Sequence, residues 1–304
     1  MEIIYLLAEL IPCLSTGYLL GRFKKNLSDR ICLLLINFGI PLSLMGLLLK
    51  SGLDWPLAQS AAIAFVAISL LMAIINLIVF LNRYIPSRTL QLGSGFGNTG
   101  YFGIPVSIAL LPNDALIYSI GFDLGATLII WSLGPILLSE SSNNSKENHL
   151  RNFIKAISVS PAVKGLIGAL IIQSSPWDSQ IASILWIPSR IVIVLALVIV
   201  GMNLNWLRKS NFSKIKVQVA LIKNALIAKL IGLPIVMLII TSIIRVPSVM
   251  REALVIQAAA PTAISVLLIS QAASRNEEEA TSLVVFSTIA ALITIPAWLL
   301  IIRL

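Results

Sequence analysis

The sequence predicts an all-α integral membrane protein of ten transmembrane helices, arranged as a 5+5 inverted repeat whose helices 4 and 9 are broken. Three observations carry the prediction: a composition too apolar for water, ten apolar runs near spanning length, and helix-breaking residues at matching places in the two halves. Of the 304 residues, 58% are hydrophobic and only 12% charged, with a mean hydropathy of +0.96. Soluble domains carry about a quarter charged residues, so this chain cannot clothe a globule with a polar surface. A soluble enzyme, a disordered regulator and a disulfide scaffold are excluded.

A spanning helix needs roughly 20 apolar residues. The runs between polar punctuation cover 2–21, 30–50, 57–81, 89–111, 114–138, 156–174, 179–203, 217–243, 251–273 and 279–302. The first has no basic leader and no small-residue cleavage site, so it is expected to remain as a span. Cys13 and Cys32 lie in apolar runs and are expected to pack as small hydrophobes. The net charge of +9 reads as nucleic-acid binding or as topology, and position decides between them. Loops after odd-numbered spans hold 14 Lys and Arg, from Arg22 to Arg275, whereas the other side holds 4: Lys50, Arg245, Arg251 and Arg303. Cytoplasmic loops collect basic residues. Both termini are therefore expected outside, the 139–155 loop in the cytoplasm, the inner or plasma membrane as the location, and no nucleic acid as partner.

Pro12, Pro41, Pro105 and Pro135 precede Pro161, Pro188, Pro261 and Pro296 by 149, 147, 156 and 161 residues, about half the chain. Two five-span repeats are expected, 1–138 and 156–304, joined by the short 139–155 loop. Five is odd, so the second repeat enters from the opposite face. Span 4 holds Gly93, Gly95, Gly97, Gly100, Gly103 and Pro105 within thirteen residues, and span 9 reads Gln257-Ala258-Ala259-Ala260-Pro261-Thr262-Ala263. Unwound backbone at membrane depth is tolerated only where it is buried in protein or lines a wet cavity. Paired interruptions of this kind are the best sequence pointer to a transporter's substrate site. Half-helix N-termini present free N–H groups and partial positive charge, which suit an anion. The substrate-binding candidates are Asn98, Thr99, Gly100 and Pro105 at the first break, with Gln257, Pro261 and Thr262 at the second. Close packing through small residues is the plainer reading of the same glycines.

The run from Asn98-Thr99-Gly100 to Gly103-Ile104-Pro105 resembles the GNTGYLGxP signature of the auxin efflux carrier family. Val284–Thr288 through Ile295-Pro296, and Asn224, Lys229-Leu230 and Pro234, are similar to later segments of that family. The resemblance covers nearly the whole chain, and the short loop between spans 5 and 6 is that of the prokaryotic members. It implies crossing spans 4 and 9, a fold shared with bile acid/sodium symporters, transport of a small organic anion, and a homodimer. Asn98 and Pro105 match family positions at the first crossover and Pro261 at the second.

Ionisable groups at membrane depth are functional candidates: Glu9, Asp123, Lys164, Arg190 and Lys229. Glu9, Lys164 and Arg190 fall near span ends, where snorkelling is the plainer reading. Lys229 and Asp123 lie deeper, either as a structural pair or with Lys229 in the substrate path, which adds Lys229 to the binding candidates. The crossovers hold no carboxylate, which counts against proton antiport. The amides of Asn98 and Gln257 suit Na⁺ or a substrate carboxylate alike. Trp131, Trp186 and Trp298 are expected at interfaces or in packing, and His149 in a loop without a role. No cofactor and no metal site are expected, and the coupling ion is H⁺ or Na⁺. The expected function is a secondary carrier moving a mono- or dicarboxylate across the bilayer by alternating access. A Na⁺-coupled symporter of bile-acid type is the alternative, followed by a transporter-derived sensor or scaffold. An intramembrane enzyme is disfavoured by the lack of H-E-x-x-H and of paired Asp residues, and an ATP-driven pump by the lack of G-x-x-x-x-G-K-[ST].

Overall fold

Backbone that cannot reach water must find its hydrogen bonds within its own segment, so apolar runs of this kind fold as helices. The computed structural model describes residues 2–23, 27–77, 79–138, 158, 161–205 and 212–304. Its helices are α1 (Glu2–Phe23), α2 (Leu27–Leu34), α3 (Ile40–Ser51), α4 (Trp55–Leu77), α5 (Val79–Tyr84), α6 (Arg88–Gly95), α7 (Ile104–Leu110) and α8 (Ala115–Leu138). There follow α9 (Pro161–Gln173), α10 (Asp178–Asn203), α11 (Phe212–Ile227), α12 (Leu233–Ile244), α13 (Ser248–Ala258), α14 (Ile264–Ala272) and α15 (Glu277–Arg303). Among the described residues, five segments are long and apolar enough to cross a membrane: α4, α8, most of α10, the continuous 215–244 stretch of α11 and α12, and α15. Of the other expected spans, α1 is a continuous helix of 22 residues, and the rest, where described, are helical but shorter or interrupted. This is a multi-pass membrane protein. The 139–155 loop, with His149, and the basic residues Lys24, Lys25, Arg208 and Lys209 lie outside the described residues, as do the side chains of Glu9 and Cys32.

Three five-residue stretches widen from α to π register: Leu35–Gly39, Thr99–Gly103 and Ala228–Gly232. Each ends in Gly and is followed by Ile or Leu and then Pro: Gly39-Ile40-Pro41, Gly103-Ile104-Pro105 and Gly232-Leu233-Pro234. The cause is local. Proline has no N–H to donate, and its ring crowds the carbonyl four residues back. Widening the preceding turn makes room for the ring while the helix continues.

The helices sort into two bundles. One contains α1, α2, α3, α9 and α10; the other contains α4 to α8 and α11 to α15. Glycines let backbones touch inside each. A Cβ on Gly17 would sit 2.0 Å from the Val198 carbonyl oxygen, and one on Gly201 2.2 Å from that of Leu14, so α1 and α10 meet backbone to backbone. In the second bundle, a Cβ on Gly121 or Gly125 of α8 would sit 2.5 Å from the carbonyl oxygen of Leu57 or Ala61 of α4. Between the bundles α1 lies against α7, and Leu44, Leu47 and Leu48 of α3 meet Ile104, Ile120 and Leu124. Close-packed seams of small residues hold helices rigidly, whereas an apolar side-chain interface is free of directional bonds.

Candidate functional site

The chain leaves helical geometry after α6, at Phe96 (φ −107°, ψ 123°) and Asn98 (φ −76°, ψ 63°). The second interruption falls between α13 and α14. Each break supplies what the other lacks. The Asn98 N–H donates to the Pro261 carbonyl at 2.6 Å, and the Ala263 N–H donates to the Phe96 carbonyl at 3.0 Å. Gly97 and Thr262 thus face each other as a single antiparallel bridge. The Thr262 hydroxyl donates to the Gly93 carbonyl (3.0 Å), while its N–H donates to Ser287 Oγ (2.9 Å). Buried backbone that cannot pair within a helix is paired across the two breaks.

Beyond each break a helix starts anew. The N–H groups of Phe102 and Gly103 both turn back to the Asn98 carbonyl, each at 3.0 Å. Ala263 is extended (φ −65°, ψ 139°) and leads into α14. Thr99 and Gly100 at one start and Ile264 and Ser265 at the other line the same cavity. Two partial positive charges therefore converge on one space.

That cavity, about 80 Å³, lies between the two bundles. Ser43, Leu44 and Ala196 close it from the first bundle; Asn98, Asp123, Thr127 and Trp131 line it from the second. Organic ligands occupy pockets of roughly 300 Å³ or more, so the cavity in this conformation is smaller than such a ligand needs. Asp123 is the acid of this site. Its Oδ1 accepts from the Thr99 hydroxyl at 2.5 Å and the Thr127 hydroxyl at 3.4 Å, and the Gly100 N–H adds a third donor. Gly100 permits this approach, since a Cβ there would lie 3.0 and 3.1 Å from the carboxylate oxygens. Among the described residues no basic side chain pairs with Asp123.

Lys229 reaches the crossover from behind, where a Cβ on Gly97 would lie 3.1 Å from its Nζ. Fully buried on the third π stretch, it donates from Nζ to the Ala258 carbonyl at 2.6 Å. It caps the C-terminal end of α13, where a cation meets the negative end of the helix dipole. Of the two readings of Lys229, the pair with Asp123 does not form, and its side chain does not line the cavity. The reason is tertiary: α12 packs along α13, while the Asp123 carboxylate meets Thr99 and Gly100 at the start of the segment leading into α7. The Trp298 Nε1–H occupies the neighbouring Leu230 carbonyl at 2.8 Å.

Of the other candidates, Asn98, Thr99 and Gly100 line the cavity. Pro105, Pro261 and Thr262 build the crossover without reaching it. Gln257, fully buried, donates from Nε2 to Ser107 Oγ at 3.2 Å and packs its Oε1 against Gly103, where that oxygen finds no partner among the described residues. Trp131, expected at an interface or in packing, contributes a wall of the site. Lys164 and Arg190 are exposed, and Arg190 lies 5.7 Å over the Trp186 ring. The crossovers themselves hold no carboxylate, but a neighbouring helix brings one. The sequence carried a signal for this: Asp123 and Thr127 are four residues apart, on one face of one helix.

The family model described as membrane transport protein, that of the auxin efflux carriers, matches residues 3–299. No curated protein matches the chain.

Proposed function

The chain belongs to the auxin efflux carrier family of membrane transport proteins, not to a family of enzymes, and from that premise we propose that it is a secondary carrier of a small organic anion. A mono- or dicarboxylate would bind at the crossover between the halves 1–138 and 156–304, read as inverted five-span repeats of a ten-span fold with both termini outside. One observation carries the reading: two half-helix N-termini open onto the same cavity, with Asn98 between them. Aligned dipoles at helix starts favour a carboxylate without a resident cation, although at the first start the Gly100 N–H already serves Asp123. Alternating access follows from the bundles. Each is tied internally by backbone contact at glycines, and the cavity lies on the apolar seam between them. Rocking one bundle against the other would expose the site to each side in turn.

Asp123 favours Na⁺-coupled symport as the second reading. A carboxylate facing an incoming anion repels it unless a cation binds too, and hydroxyl and carboxylate oxygens are hard ligands suited to Na⁺. The test is uptake of labelled mono- and dicarboxylates into proteoliposomes, with Na⁺ and H⁺ gradients imposed in turn. Carboxylate uptake that Asn98→Ala impairs supports the carrier. Dependence on Na⁺ that Asp123→Asn removes supports symport. Stabilisation by neutral or cationic solutes, with no carboxylate carried, would sink the anion reading.

A further inference from the structure

A second cavity, of about 350 Å³, opens on the perimeter between α4, α6 and α8, away from the crossover. Its walls include Ala73, Asn76, Leu77, Arg88, Gln91 and Leu137. Leu77 and Leu137 are 80% and 38% exposed, so the mouth faces outward, where lipid surrounds a membrane protein. Arg88 stands at one end, in the first turn of α6. Its Nη1 donates to Asn76 Oδ1 at 2.9 Å and to Gln91 Oε1 at 3.0 Å. Gln91 is itself fixed, because its Nε2 donates to Asn82 Oδ1 and the Ile85 carbonyl. Two neutral amides therefore aim the guanidinium and leave its charge standing. Among the described residues no acid pairs with Arg88; Glu279, which reaches the same end of α6, accepts from the Ser87 hydroxyl instead.

We propose that this cleft binds an anionic phospholipid, its phosphate on Arg88 and an acyl chain along Leu77 and Leu137. The free edge of a guanidinium matches two phosphate oxygens. The apolar walls favour a lipid over free phosphate, which gains nothing from burying them. A basic pocket between spanning helices is the expected form of a headgroup site.

The test is thermal unfolding of the purified full chain in neutral detergent. The additions are phosphatidylglycerol, phosphatidylcholine with the same acyl chains, or inorganic phosphate. Binding to the folded state alone raises the melting temperature. Phosphatidylglycerol should raise it by several degrees more than phosphatidylcholine, and phosphate alone should not. Arg88→Gln should remove the difference by deleting the charge; Ala73→Phe should remove it by filling the cleft with the guanidinium intact. Equal shifts from the two lipids, protection by phosphate alone, or a full phosphatidylglycerol shift in either variant would overturn the proposal. If Arg88→Gln does not fold, Ala73→Phe decides.

Discussion

Replacing Thr99 with valine removes one hydroxyl and keeps the branched shape, so the perturbation is confined to the bond with Asp123. That bond is buried, 2.5 Å long, and ends on a carboxylate. Hydrogen bonds to charged groups contribute about 1.5–3 kcal/mol. Thr127 and the Gly100 N–H still serve the carboxylate, so the loss should fall near the lower end, about 1.5 kcal/mol. If the loaded carrier depends on this carboxylate, each 1.4 kcal/mol is worth about tenfold. Thr99→Val should thus slow carboxylate uptake at subsaturating substrate about tenfold and lower the melting temperature. Thr127→Val, which removes the longer 3.4 Å contact, should do less. The assay is the initial rate of uptake into proteoliposomes, with thermal unfolding of the same preparations. Wild-type uptake and an unchanged melting temperature in Thr99→Val would refute the reasoning, because the hydroxyl would then bear no load.

Gly201→Ala puts a Cβ 2.2 Å from the Leu14 carbonyl oxygen, so α1 and α10 must part by about 1 Å; overpacking of this kind costs about 1–3 kcal/mol, read as a lower melting temperature. Gly103→Ala puts a Cβ 2.1 Å from Gln257 Oε1 in a fully buried site and should cost about as much, roughly 1–3 kcal/mol, in the same measurement. Lys229→Gln should leave KM for the transported anion within about twofold of wild type, because Nζ holds the Ala258 carbonyl outside the cavity. A tenfold rise in KM would return Lys229 to the substrate path.

Much of the helical layout was legible because hydrocarbon leaves the backbone few options. The apolar runs are helical, and the breaks fall where glycine and proline cluster. Even the π stretches have a local signature, Gly-Ile/Leu-Pro, since one missing N–H and one bulky ring act within a single turn. The site was half legible. Asn98, Thr99 and Gly100 reach the cavity, while Pro105, Gln257, Pro261 and Thr262 shape the crossover behind it. The depth of Asp123 and Lys229 is legible in the sequence; that each takes a partner other than the other is not. Depth along a helix can be counted in residues; the direction in which a side chain points among its neighbours cannot.

The sequence alone determined the solvent, the family and the places where two helices must break, because those follow from composition and short-range sterics. Which break residues face the cavity, that Asp123 joins them from α8, and that Lys229 closes a helix end were decided by tertiary structure. The physical reason is range. Helix formation and interruption depend on atoms within about five residues along the chain. The electrostatic partners of Asp123 and Lys229 depend on atoms 24 and 29 positions away, brought near only by packing.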